Sequence, residues 1–214
     1  SWGMHLDFAP DIPGGAMFSF LETMGGQVFG MVIGKGGASC LVHALVGVIQ
    51  ENGGEVRCGS TVEEVLVSGS RATGVRLADR VVLARRAVVA NLNPVLIPDL
   101  LPASVRARPD VARAREFRPG LATMMIHLAL DGPVPWTAAG ARDYNYCHIG
   151  PYLDDMALAY TQAAAGRLPD APTLVVGQPT VSDPSRAPEG KHVLWVQVRV
   201  LPREPDAVSW DDVA

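Results

Sequence analysis

Between residues 61 and 84 the chain alternates short apolar runs with tight turns, and this pattern limits the fold more than any other feature. Residues 61–67 carry Val62, Val65 and Val67, then turn at Ser68-Gly69-Ser70. Residues 71–77 return, Ala78-Asp79-Arg80 turns again, and residues 81–84 follow. Short runs rich in β-branched residues and joined by so few positions pair antiparallel with their neighbours. Residues 55–58 read as one more short strand. Residues 87–90 are wholly apolar and read as a strand covered on both faces. Asn91-Leu92-Asn93-Pro94 closes that run, because proline removes a donor and restricts the residue before it.

The flanking segments add helices. Residues 38–52 place Leu41, Val42, Leu45, Val46, Val48 and Ile49 on a broad helical stripe. Ser39 is a candidate N-cap, and Asn52-Gly53-Gly54 is a helix stop. Residues 154–166 read as a second helix, capped by Asp154. Residues 122–130, 173–177 and 192–201 read as strands, with a proline-rich connection over 179–190. Residues 95–118 read as short helices around prolines, and 131–141 as loop. Residues 1–36 are punctuated by Pro13-Gly14-Gly15, Gly25-Gly26 and Gly34-Lys35-Gly36-Gly37, and read as loop with short elements. The fold class is mixed α/β, an α+β arrangement with much antiparallel strand.

Composition narrows the function. At 214 residues, with 48% hydrophobic and 19% charged positions, the chain can bury a core and is not a disordered segment. A net charge of −4 and the lack of a basic stripe argue against nucleic acid. Three cysteines, none in a CxxC pair, exclude a full disulfide framework and fit a reducing, cytoplasmic setting. The longest apolar stretches, 28–33 and 41–49, fall short of the ~20 residues that span a bilayer. Peripheral contact with a membrane and the oligomeric state are left open. The abrupt start and the closing Trp210-Asp211-Asp212-Val213-Ala214 read as cuts through a longer chain.

Motif spacing excludes several chemistries. A phosphate loop ending at Lys35 needs glycine where Phe29 stands and a hydroxyl residue where Gly36 stands. A dinucleotide fingerprint from Gly34 needs glycine at Ser39. What remains is a glycine-rich lead into a helix N-terminus, read either as an anion-facing turn or as a tight packing turn. There is no HExxH and no Cys/His cluster, so no metal site is expected. His43, His127 and His192 read as structural. His148 lies in the polar, aromatic stretch Tyr144-Asn145-Tyr146-Cys147-His148 and is a candidate to face substrate. No GxSxG occurs. Cys40 and His43 share a helical face, which leaves a thiol-dependent hydrolase as an alternative. The carboxylate pairs Glu63-Glu64, Asp154-Asp155 and Asp211-Asp212 are sequence neighbours that diverge, so they read as solvated. With no self-contained acid, base or metal, the chemistry is expected to come from a cofactor.

The order of the pieces carries a resemblance. Gly36-Gly37 leads into the helix beginning Ala38-Ser39-Cys40; Glu51-Asn52-Gly53-Gly54-Glu55-Val56 follows, then Thr61-Val62-Glu63-Glu64-Val65, Ala72-Thr73-Gly74-Val75-Arg76-Leu77, and Ala87-Val88-Val89-Ala90-Asn91. This succession resembles the middle of phytoene-desaturase-like FAD-dependent oxidoreductases. His148-Ile149-Gly150, Ala171-Pro172-Thr173 and the stretch from Asp183 to His192 resemble the pyridine nucleotide-disulfide oxidoreductase domain branch of that group. The resemblance implies a substrate domain over 94–214, a strand meander over 55–93 returning to a glutathione-reductase-type FAD-binding domain, and a segment over 1–54 bordering the substrate and flavin cavity. It implies FAD in an intact parent, with Val62, Asn91, Gly36 and Gly37 toward the cofactor. It also implies hydride removal from an apolar small-molecule substrate. The family's N-terminal GxGxxG unit and its C-terminal flavin segment are not in this sequence. The resemblance supplies no catalytic side chain. A non-catalytic binding or scaffold module derived from a flavoprotein domain is the alternative.

Overall fold

The computed structural model describes every residue except 1, 7, 151, 207, 208 and 214, and the side chains of Trp2, Asp212 and Val213 lie outside the description. In chain order the elements are α1 (Gly15–Phe29), α2 (Ser39–Glu51), β1 (Val62–Ser68), β2 (Arg71–Leu77), β3 (Val81–Leu83), α3 (Ala103–Arg106), α4 (Pro109–Ala112), β4 (Ala122–Leu130), β5 (Tyr146–Ile149), α5 (Leu153–Ala164), β6 (Thr173–Gly177), β7 (His192–Leu201) and α6 (Trp210–Val213), with short 3₁₀ turns between several of them. Two compact units form, Ser1–Leu45 with Gly120–Ala214, and Val46–Pro119. This grouping differs from the three segments expected from sequence: residues 94–119 pack with the meander, and residues 1–45 with the later strands.

The smaller unit holds the antiparallel meander β1-β2-β3. Val65, Gly74 and Leu77 are its buried strand residues. The helix stop at its start forms as expected. Gly53 is left-handed at φ 75°. Its N–H bonds the Gln50 carbonyl at 2.9 Å, and the Gly54 N–H bonds that of Ile49 at 2.8 Å. Two carbonyls orphaned by the helix end are thereby satisfied.

The larger unit holds a four-stranded sheet in the order β4-β7-β6-β5, each neighbouring pair antiparallel. Helix α5 turns Met156, Ala159, Tyr160 and Ala163 toward Val175 and Val200, and Met4 from the first turn of the chain completes this core. The spacing i, i+3, i+4, i+7 puts those four residues on one stripe. The Tyr160 hydroxyl reaches the Gly3 and Leu6 carbonyls at 3.1 and 2.6 Å, tying the chain start to the core. Near its end β7 carries a bulge, where Arg199 and Val200 together oppose the single residue Thr123. Val200 takes φ 61°, a strained value for a β-branched side chain, and is 3% exposed.

The structure corrects several expectations. Residues 15–29 form a full helix where loop was expected. Met17, Phe20, Leu21, Met24 and Val28 repeat at helical spacing, and Gly25-Gly26 sits inside the helix without ending it. Each such glycine costs about 1 kcal/mol relative to alanine, too little to override the rest. Residues 55–58 and 87–90 form no strand. A strand needs a ladder partner; among the described residues none pairs with either run, and Val89 is 90% exposed. Residues 146–149, read only as polar and aromatic, form β5. Tyr152, not Asp154, occupies the N-cap position of α5, and Asp154 and Asp155 lie in its first turn, where the helix dipole favours negative charge. Among the described residues no helix is long and apolar enough to cross a membrane.

Candidate functional site

A cavity of about 590 Å³ lies over one face of the four-stranded sheet, a size typical of small-molecule sites. Antiparallel pairing sets its floor. Tyr146, Gly177 and Trp195 are register partners across three strands, and His148, Val175 and Gln197 form the next row. Directly paired residues point to the same face, so both rows address the cavity. Met31, Val32 and Ile33 supply an apolar wall. The Trp195 ring lies 5.4 Å from that of Tyr146 and crosses β6 over Gly177, where any Cβ would fall inside the indole.

One end of the cavity is polar. His5 and His148 meet edge to face with Nε2 atoms 3.1 Å apart. Burial, then the nearby Arg199 and His148, lower the His5 pKa to about 4. Burial foremost, and Arg199 in part, push His148 down as well. Both rings are therefore neutral at pH 7, one Nε2–H donating to the other's bare Nε2. Arg199 donates its Nε–H to the Met4 carbonyl at 3.2 Å, leaving the rest of its guanidinium fork toward the cavity.

A second cavity, about 480 Å³, lies within the smaller unit and is lined by Val62, Val65, Val75, Leu92 and Asn91 among others. Two of the four residues expected near a cofactor thus share one wall. The other two, Gly36 and Gly37, line a third, open cavity of about 690 Å³ with His127, Ser185, Arg186 and Trp195. There the Gly36 N–H donates to Asp183 Oδ2 at 2.7 Å, Ser185 Oγ donates to Oδ1, and Arg186 Nε donates to Oδ2 at 3.1 Å. Arg186 also reaches the Gly34 carbonyl. These contacts, first Ser185, then Gly36, with Arg186 after them, lower the Asp183 pKa to about 2.

Residues 14–209 match the family profile described as flavin containing amine oxidoreductase. The chain belongs to that family.

Flavin amine oxidoreductases similar to it include the zeta-carotene-forming phytoene desaturase of Myxococcus xanthus, 30% identical over 82% of this chain and 32% of that protein. The neurosporene-forming phytoene desaturase of Cereibacter sphaeroides is 28% identical over 99% of this chain and 41% of its own length. The chain therefore spans about a third to two fifths of these relatives. An oxidoreductase from Methanosarcina mazei shares the fold, with a TM-score of 0.60 over 95% of this chain and 40% of that one, at 23% identity.

The family's flavin can be tested against these residues. The Val62 and Asn91 wall, mostly apolar, suits a planar ring. A pyrophosphate needs free backbone N–H groups at a glycine turn. Here the Gly36 N–H is held by a carboxylate, and the Gly37 N–H by the Gly34 carbonyl at 3.2 Å. The Val62 and Asn91 wall is thus compatible with a ring face, and neither N–H of the Gly36-Gly37 turn is free for a phosphate.

Other residues fall as follows. His148, the candidate for facing substrate, does line the sheet cavity. His192 bonds Thr180 through Nδ1 at 2.9 Å, a structural role. The Cys40 thiol donates to the Lys35 carbonyl at 3.0 Å and to that of Gly37, so it is held as a donor and does not meet His43 as a base would require. His5, Trp195 and Arg199 were missed. For Trp195 and Arg199 the strict alternation of Val193, Trp195, Gln197 and Arg199 along one strand was an available signal. No sequence signal joins His5 to a partner 143 positions away.

Proposed function

We propose that this chain is the substrate-side portion of a FAD-dependent oxidoreductase that takes a hydride from a largely apolar organic substrate, its dinucleotide cradle being supplied by residues outside the chain. The observation that carries this reading is the sheet cavity, with Trp195 as floor and Met31, Val32 and Ile33 as wall. Bound FAD would supply the acceptor for the electron pair. The chain's own residues bind, orient and exclude water. The indole gives a flat, rigid bed for an unsaturated or saturated carbon frame. The neutral His5–His148 pair holds one proton between two Nε2 atoms at the cavity's polar end.

Relatives named as carotenoid desaturases support the apolar substrate class. One observation favours the alternative of a non-catalytic module, namely the glycine turn whose N–H groups are already bonded. The test is the visible absorbance of the protein purified natively, alone and within its reading frame. A yellow in-frame protein that is bleached by substrate supports the enzyme. In-frame protein that stays colourless after added FAD removes it and leaves the module.

A further inference from the structure

We propose that the sheet cavity takes a molecule with an apolar body and a terminal carboxylate, the carboxylate bound by Arg199 with Gln197 beside it. This rests on the reading of that cavity as a substrate site and narrows its substrate class.

The argument begins with what a pure hydrocarbon would cost. Arg199 and Gln197 sit two apart on β7, facing the cavity and only partly exposed. A hydrocarbon filling the space strips water from a guanidinium and an amide and returns no hydrogen bond. Each uncompensated polar group costs roughly 1–3 kcal/mol, and a charge costs more. An occupant that brings an acceptor oxygen removes that penalty.

Charge selects the kind of acceptor. Among the described residues no aspartate or glutamate lines the cavity and Arg199 makes no ion pair. The two histidines beside it are neutral, so among the residues lining the cavity Arg199 is the one with a fixed positive charge. Guanidinium presents parallel N–H groups that match the two oxygens of a carboxylate. Its Nε is already spent on the Met4 carbonyl, which fixes the plane and leaves the outer nitrogens for ligand.

The backbone is built to aim this side chain. The β7 bulge falls at Arg199 and Val200, and Val200 holds a left-handed φ of 61° inside the core. Bulges re-aim side chains next to functional sites, and strain of this kind persists only where the surroundings over-determine it. On the other side of β7, Arg199 is in register with Thr173, a position 0% exposed. The apolar wall of Met31, Val32 and Ile33 and the Trp195 indole then receive the hydrocarbon body.

The test is quenching of tryptophan fluorescence by palmitate, methyl palmitate and hexadecane, using the protein as purified. Palmitate is expected to bind about tenfold or more tightly than either neutral analogue. Arg199→Gln should abolish that preference by weakening palmitate binding toward that of the neutral analogues, and Arg199→Lys should retain part of it. Should Arg199→Gln unfold, Gln197→Leu, which leaves the Met4 contact intact, is expected to lower palmitate affinity several-fold. Equal binding of all three ligands, or an undiminished preference in both Arg199→Gln and Gln197→Leu, overturns the proposal. The flavin reading fails separately. In-frame protein that stays colourless after added FAD but still prefers palmitate through Arg199 refutes the flavoenzyme and keeps the carboxylate site, whereas yellow in-frame protein that binds hexadecane equally does the reverse.

Discussion

The space that a side chain would fill at Gly177 is occupied by the indole of Trp195, its register partner on the neighbouring strand. The ring can lie flat across β6 only because that strand offers no Cβ. The floor of the sheet cavity and the packing of the sheet therefore depend on one residue.

Gly177→Ala tests this directly. The added methyl must displace the ring, as overpacking does, at a cost of about 1–3 kcal/mol. Trp195→Leu costs stability on its own, but the double variant should be less damaged than the sum of the two. A denaturant-unfolding cycle measures the coupling. Additive losses would mean that the two residues do not share the space.

Tyr160→Phe should cost about 1 kcal/mol, because the Gly3 and Leu6 carbonyls lose a buried donor while the ring stays packed. Chemical denaturation reads the loss. Proteolysis near the N-terminus should speed up as the first turn loosens.

The histidine pair predicts an acid limb in stability. The folded His5 pKa is lowered from 6.5 to about 4, so between those values the unfolded chain binds more protons. Stability is full above about pH 6.5 and falls as pH drops toward 4. His5→Gln should flatten the melting temperature over that window. An unchanged slope would place the titration elsewhere.

Asp183 acts in a lower window and with the sign of a carboxylate. Its pKa falls from 3.8 to about 2, so its contribution is present above 3.8 and is lost as pH falls through 2. Asp183→Ala should release the Gly36 N–H and Arg186 together. The readout is faster proteolysis across residues 34–37 and a lower melting temperature at pH 7.

Self-association is the fifth expectation. Phe29 is 86% exposed and Val32 94%, and apolar surface of that kind marks contacts or aggregation. The chain alone should elute as more than a monomer in light-scattering chromatography. A monodisperse monomer would contradict this.

The regular elements were legible because their signals are local. β2, β4, β6 and β7 follow from alternation and turn residues, and α2 follows from its stripe and its glycine stop. The misses share a different cause. In α1 two glycines looked like a stop, yet the apolar repeat on either side outweighed them. Residues 87–90 have the composition of a buried strand, but a strand is a property of two segments and no partner lies among the described residues. The site fared similarly. His148 was singled out from its polar, aromatic setting. His5 and Arg199 could not be joined to it, because their meeting depends on register and on contacts 143 and 195 positions apart.

The division of the chain has a consequence for its biosynthesis. The smaller unit is one uninterrupted stretch, Val46–Pro119, whereas the larger is split into Ser1–Leu45 and Gly120–Ala214. The meander can therefore close while the ribosome is still making the rest. Met4 and His5 meanwhile wait for partners on β5, α5 and β7, a delay on the order of ten seconds at ordinary elongation rates. During that interval the α1 segment has been made with its phenylalanines and methionines uncovered, so it is a segment in need of a chaperone.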